Sequence, residues 1–287
     1  MVRFLKKTLS GTIPESEMRV LTTSFDVIGD IVVLRIPPDL VRWSKTVAEI
    51  MLDRLPHVKT VLNQESPVKG EYRSRDLTWL AGIRKTVTIS REAKCALKVD
   101  LAKVYFSPRL AFERMRISRF VKSGEVVVNM FAGVGSFSIL IAKYSLPSVV
   151  FSIDINPDAI CLMRENAILN NVKKKIQVRE GDAREIIMTE LIGEADRVIM
   201  SLPEKAFEYL EAAVRALKPS GGTIHYYDFV HSSKRNDPRA SVKARVEEKL
   251  SQLAKEHSVR FSRVVRSVEP NWYQVVLDID IVPLQGW

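Results

Sequence analysis

The chain has 287 residues, 46% hydrophobic and 27% charged, which suffices for one large domain or two ordinary ones with packed cores. Its 44 Lys and Arg against 34 Asp and Glu give a formal net charge of +10, and a surface of that sign attracts polyanions, nucleic acid first. Composition speaks against a disulfide scaffold, a zinc module and a membrane span: Cys95 and Cys161 stand alone and read as core thiols, and no uncharged apolar run reaches about 18 residues.

Residues 1–20 are polar and basic, interrupted by Gly11 and Pro14, and are expected to form a basic arm. Their apolar part is too short for a secretory signal, so a cytoplasmic protein is expected. FDVIGDIVVLRI, residues 25–36, predicts a strand or hairpin broken at Gly29-Asp30 and stopped by Pro37-Pro38. Leu40, Val41, Val47, Ile50, Met51 and Leu55 then recur near helical spacing, predicting an amphipathic helix over 38–55 that ends at Pro56. Between Val58 and Phe106 the segments VKTVL, LTWLAG, TVTISRE and ALKVDLAKVYF read as strands, giving a small α+β domain over 21–108. Its loop KGEYRSRD places Lys69, Arg73 and Arg75 beside Tyr72, a mixture that suits phosphate contact and base stacking and equally a solvated hairpin tip. Leu110–Val121 reads as a helix within a link over 109–122; by itself, its Glu113 reads as one half of an exposed i,i+3 or i,i+4 ion pair with the neighbouring arginines.

From Glu125 onward strands and helices alternate, which predicts a doubly wound sheet closed by two further strands within a domain over 109–287. VVVNMFAGVG, residues 126–135, is a continuous β-branched run that breaks into a turn with Gly133 and Gly135. Ligands in such folds bind beyond the carboxyl ends of the strands. Asp154, about 20 residues past the glycine turn, suits the ribose hydroxyls of an adenosine cofactor, and Asp182 after the third strand suits the adenine amine, although each could also cap a helix. Phe137 stands where GxGxxG would have its third glycine, which disfavours a dinucleotide and favours S-adenosylmethionine. The fourth strand end, Ser201-Leu202-Pro203, is where a substrate base could be held.

Jointly, KVDLAKVYFSPRLAFER, VVVNMFAGVGSFSI, SIDINPDAI, GDAREI, DRVIMSLPEKA and GGTIHYY resemble the archaeal and eukaryotic tRNA guanine-37 N1-methyltransferases and their wyosine-pathway relatives, from about Phe25 to near the C-terminus. The resemblance implies an α/β Rossmann-type class I methyltransferase domain preceded by a small α+β domain that positions RNA. It also implies S-adenosylmethionine as donor, the tRNA anticodon loop as partner and guanine N1 as acceptor. By motif, Glu113 would be the general base, Arg73 would hold the guanine O6, and Ser201 would take part at the base. Tyr105, Asn129, Phe131, Ala132, Gly133, Gly135, Asp154, Ile155, Asp182, Ala183, Leu202 and Pro203 would contact the cofactor, with no metal. Two residues depart from the family pattern: Asn129 stands where many relatives carry an acid, and Ser201 replaces an asparagine. The relatives' first module, which touches the outer corner of tRNA, is expected to be missing, leaving docking to the arm, the small domain and a basic loop over Lys234–Arg245. Methylation of a tricyclic wyosine intermediate, aminocarboxypropyl transfer from the same cofactor and a non-enzymatic RNA-binding module are the alternatives. No protein partner is signalled, and a monomer is expected.

Overall fold

A computed structural model of the chain describes residues 8–19, 24–66, 70–73, 75–233, 235–253 and 256–282. It divides the chain into two units, Met1–Ala111 and Phe112–Trp287.

In the first unit the expected arm is corrected over residues 8–19: Leu9, Ile13 and Met18 are buried, the last on the short helix α1 (Glu15–Met18). Glu17 fixes this segment by accepting from the Trp43 indole N–H at 2.7 Å and pairing with Arg42 at 2.7 Å. Three apolar residues spaced four and five apart show no period, which hides their burial from the sequence. Strands β1 (Asp26–Ile28) and β2 (Ile31–Leu34) form the expected hairpin, and Gly29 turns it at φ 57°, where an added Cβ would lie 2.6 Å from the Ile89 carbonyl oxygen. The expected helix begins as a 3-10 segment, Pro38–Trp43, because the two prolines fix its entry, and continues as α2 (Ser44–Arg54). It leads to β3 (Thr60–Gln64), parallel to β2, and β4 (Leu77–Gly82), antiparallel to β3. β5 (Val87–Glu92) and β6 (Cys95–Asp100) make a separate hairpin across Ala93 and Lys94, both at positive φ.

The second unit opens with α3 (Ala111–Phe120), which begins one residue before the division. It continues through β7 (Val126–Asn129), α4 (Ser136–Tyr144), β8 (Val149–Asp154), α5 (Pro157–Leu169), β9 (Ile176–Glu180) and α6 (Ala183–Glu190). Then come β10 (Arg197–Met200), α7 (Pro203–Ala216), β11 (Gly222–His231), α8 (Pro238–Leu253), β12 (His257–Glu269) and β13 (Trp272–Ile281). The sheet order is β9-β8-β7-β10-β11-β13-β12, parallel up to β11, with β13 antiparallel to both β11 and β12. Strand order therefore reverses between β7 and β10, whose valine and isoleucine runs are buried on both faces. Two expectations are corrected. Cys161 lies exposed on α5 while Cys95 is buried, and the basic loop expected over Lys234–Arg245 is helical from Pro238 on, Lys234 lying outside the described residues. Among the described residues no helix is long and apolar enough to cross a membrane.

Candidate functional site

The carboxyl ends of β7 and β8 are tied by the backbone. The Ala132 N–H donates to the Ile153 carbonyl at 2.8 Å, and the Gly133 N–H donates to Asp154 Oδ2 at 2.6 Å. Asp154 Oδ1 accepts the Asn156 N–H at 3.0 Å, so Asn156 and not Asp154 begins the following helix. Burial pushes the Asp154 carboxyl above its ordinary range, against the backbone donors. Gly133 and Gly135 are left-handed at φ 55° and 82°, and a Cβ on Gly135 would lie 2.7 Å from Met163 Cγ, so this glycine also lets α4 approach α5. Ile155 follows Asp154 directly, and Phe131 and Ala132 form the start of the same turn.

At the end of β7, Asn129 is fully buried. Its Nδ2 donates to Ser138 Oγ at 3.0 Å, and Ser138 also receives the Ser152 hydroxyl at 2.7 Å. Asn129 Oδ1 is buried without a donor. A buried acceptor with no partner at the switch point fits the ammonium of the expected cofactor's methionine moiety.

Asp182 caps α6: its Oδ1 accepts the N–H groups of Arg184 and Glu185 at 2.8 and 3.2 Å, ahead of Ala183. Its Oδ2 accepts the Tyr209 hydroxyl, and burial together with this carboxylate raises the Tyr209 pKa. The Tyr209 ring meets Phe131 edge-on at 5.3 Å. Ser201 Oγ donates to the Phe131 carbonyl at 3.0 Å, which ties the end of β10 to the turn after β7. Leu202 and Pro203 then start α7, the proline buried in its first turn. Asp154, Asp182, the glycine turn and Ser201 are thus joined through Phe131, Gly133 and Tyr209.

The exposed ion pair expected of Glu113 is corrected: the residue is 1% exposed and sits in a buried network. Its Oε2 accepts from Arg116 Nε and Nη2 at 3.1 and 2.9 Å and from the Tyr227 hydroxyl at 2.7 Å, and its Oε1 accepts from Arg263 Nη2. Arg116 continues to Asp278 at 2.5 and 3.1 Å; His225 Nδ1 lies 2.6 Å from Asp278 Oδ1; Arg197 lies 2.8 Å from His225 Nε2 and pairs with Glu125. Arg197 can only donate, so Nε2 is the acceptor and Nδ1–H donates to Asp278, which is the neutral imidazole. Burial lowers the His225 pKa in the same sense. Burial also pushes Asp278 up, but His225 and Arg116 outweigh it and hold the carboxyl at about 2. Tyr227 is raised by burial and by Glu113, and its ring meets Phe137, two residues past Gly135, at 6.1 Å. Glu113 is therefore in side-chain connection with the glycine turn.

Tyr227, Arg263, Asp278, His225 and Tyr209 were not identified from the sequence. The period-2 alternation of IHYYDF puts His225 and Tyr227 on one face of β11, but Asp278 becomes their neighbour only through the register that pairs it with His225. In the first unit the Arg73 guanidinium lies 4.3 Å over the Tyr105 ring, with Arg73 at φ 53°. Arg75 is buried beside them, donating to Gln64 at 3.3 Å, while Tyr72 is exposed and Lys69 lies outside the described residues. The expected residues thus fall in two groups, Arg73 with Tyr105 in the first unit and all the others in the second. Among the described residues no cluster could hold a metal ion.

The family described as the TRM5/TYW2 methyltransferase domain matches residues 88–262, and that described as the TYW2 N-terminal domain matches residues 5–86. The tRNA (guanine(37)-N(1))-methyltransferase Trm5b of Pyrococcus abyssi is 42% identical over 269 residues, 94% of this chain and 78% of its own length, and its crystal structure gives a TM-score of 0.83. The tRNA 4-demethylwyosine(37)-methyltransferase Taw21 of Saccharolobus solfataricus is 37% identical over 259 residues, 88% of this chain and 92% of that one. A structure described as the complex of aTrm5 and tRNALeu covers 96% of this chain and 78% of its own, with 34% identity and a TM-score of 0.82.

Proposed function

Because this chain belongs to the TRM5/TYW2 methyltransferase family, we propose that it methylates N1 of guanosine 37 in tRNA, with S-adenosylmethionine as donor. The donor supplies an electrophilic methyl group. The chain's residues orient the reactants and take the proton. The turn Phe131–Gly135 and Asp154 bind the ribose side, with Ile155 alongside; Asp182, Ala183 and Leu202-Pro203 border the adenine; Asn129 Oδ1 accepts from the ammonium. Glu113 receives the guanine N1 proton as the new N–C bond forms, and Arg73, stacked on Tyr105, offsets the charge on O6. The first unit positions the RNA, in keeping with the chain's net positive charge. The enzyme acts as a monomer in the cytoplasm.

The observation that supports this reading most is the connection from the buried Glu113 carboxylate through the Tyr227 hydroxyl and ring to Phe137 at the glycine turn. It ties a proton acceptor to the cofactor-binding turn. The test is nucleoside mass spectrometry of unmodified tRNA treated with the enzyme and donor labelled either in the methyl or in the aminocarboxypropyl group. Methyl label in 1-methylguanosine is expected; label arriving only from the aminocarboxypropyl chain would overturn it. Glu113→Gln is expected to slow single-turnover methylation by about two to four orders of magnitude with cofactor affinity near wild type.

A second acceptor, a tricyclic wyosine intermediate at the same position, is favoured by Ser201. Its hydroxyl is committed to the Phe131 carbonyl and presents no amide to a guanine edge. Parallel assays on tRNA carrying guanosine or 4-demethylwyosine at position 37 measure the preference.

A further inference from the structure

Glu113 has two kinds of partner. Arg116 and Tyr227 hold Oε2, and both are pinned elsewhere, Arg116 by Asp278 and Tyr227 by packing on Phe137. Oε1 is held by Arg263 alone among the contacts described above. The Arg263 side chain is 33% exposed against 9% for Arg116. It comes from β12, the edge strand of the sheet, whose pairing with β13 is interrupted by register shifts on both sides of Arg263. Its guanidinium lies 4.3 Å over the exposed ring of Phe112, and its buried Nε has no hydrogen-bond partner. With four N–H and O–H donors on it, the Glu113 carboxylate is enclosed by its own partners, and a substrate N–H can reach it only where one of them leaves. The loosely held donor is on the oxygen that is otherwise free.

We propose that Arg263 is the displaceable counter-ion of Glu113: it occupies Oε1 in the free enzyme and moves to a backbone phosphate of the bound tRNA, so that the proton acceptor is released only when substrate is in place. The proposal rests on Glu113 being the base. With Arg263 in place, the carboxylates of Glu113, Asp278 and Glu125 are matched by the guanidiniums of Arg116, Arg197 and Arg263, with His225 neutral. Withdrawal of Arg263 leaves one uncompensated negative charge, and the charge nearest the vacated partner is Glu113. Oε1 is then open to the substrate N–H. The groups that face it are then Arg116 from its own helix and Tyr227 from β11, with His225 and Asp278 behind Arg116.

The test compares wild type, Arg263→Gln and Arg263→Lys on unmodified tRNA with S-adenosylmethionine, measuring kcat and kcat/KM through the acidic limb of the pH profile. The first reports the complex and the second the free enzyme. For Arg263→Gln the kcat/KM limb is expected to move to higher pH by about one unit, because the free enzyme loses the cation paired with Glu113 Oε1. The kcat limb should stay where it is. The salt slope of tRNA binding should fall by about one phosphate contact, and Arg263→Lys should keep both limbs at wild-type positions. Equal movement of both limbs would mean that Arg263 stays on Glu113 in the complex, and no movement of either that it is no counter-ion; each result overturns the proposal. So would an Arg263→Lys profile that matches Arg263→Gln, which would assign the effect to packing. Glu113→Gln is run alongside: a wild-type single-turnover rate there would remove the base assignment itself, and a proposal about its counter-ion with it, whatever the arginine variants do.

Discussion

At the scale of single residues, Asn129 and Glu113 gained most from the structure. The sequence marks Asn129 as a departure from the family pattern but cannot show that its amide already serves Ser138 while its oxygen waits for a donor. Replacing it by aspartate exchanges the donating Nδ2 for an acceptor, forces Ser138 to reverse its proton, and buries a charge with no cation among its hydrogen-bond partners. Asn129→Asp is expected to lower the stability of the free enzyme by roughly 1–3 kcal/mol. It should also enlarge the stabilisation that S-adenosylmethionine confers, since the added carboxylate would meet an ammonium. Urea unfolding with and without the cofactor measures both; an equal gain in wild type and variant would count against this contact. Glu113 was legible as a motif position only. Its burial depends on β11, β12 and β13 arriving over α3 from more than 100 residues away.

Among the elements, α6 shows one side chain with two separable tasks. Asp182 Oδ1 caps the helix, while Oδ2 takes the Tyr209 hydroxyl and faces the proposed adenine site. Asparagine caps as well as aspartate, so Asp182→Asn should keep the cap, lose about 1 kcal/mol with the Tyr209 hydrogen bond, and bind S-adenosylmethionine more weakly. Asp182→Ala should lose the cap too, about 1 kcal/mol of stability more than Asp182→Asn. Calorimetric binding paired with denaturant unfolding separates the two tasks, and the idea fails if Asp182→Asn binds S-adenosylmethionine as tightly as wild type. Strong local signals made these parts of the fold legible: the valine run of β7, the Gly29-Asp30 hairpin, the acid that ends β8 and the acid just after β9 all lie where their spacing put them. The N-terminal segment was misread as an arm because its burial rests on distant partners, Trp43 above all.

For the whole molecule, the buried network sets the response to acid. His225 is held neutral, so below about pH 6.5 the unfolded chain binds a proton that the fold resists, and stability starts to fall as pH drops through that point. Asp278, held at about 2 against an ordinary 3.8, contributes stability that is complete above its unfolded value and is lost as pH falls toward 2, roughly 2 kcal/mol in all. Stability is therefore expected to decline in two stages, and Asp278→Asn should abolish the lower one while leaving the upper. Urea midpoints measured through that range check this; a lower stage that persists in the variant would place its origin in other carboxylates. Net charge was legible from composition, but this balance was not, because the alternation of acid and base runs across strands and not along the chain.

Tyr227 touches both halves of the proposed chemistry, its hydroxyl on Glu113 and its ring on Phe137 beside the glycine turn. A side chain so placed is a route for coupling between the proposed cofactor turn and the proposed base, and coupling between two bound ligands is reciprocal. Whatever order the cofactor brings to the turn is felt at the base, and whatever tRNA does to the base is returned in equal measure to the cofactor. Tyr227→Phe keeps the ring contact and breaks the link at the hydroxyl, so the affinity of each ligand should cease to depend on the presence of the other. Binding of tRNA with and without S-adenosylhomocysteine, in wild type and in this variant, closes the thermodynamic cycle.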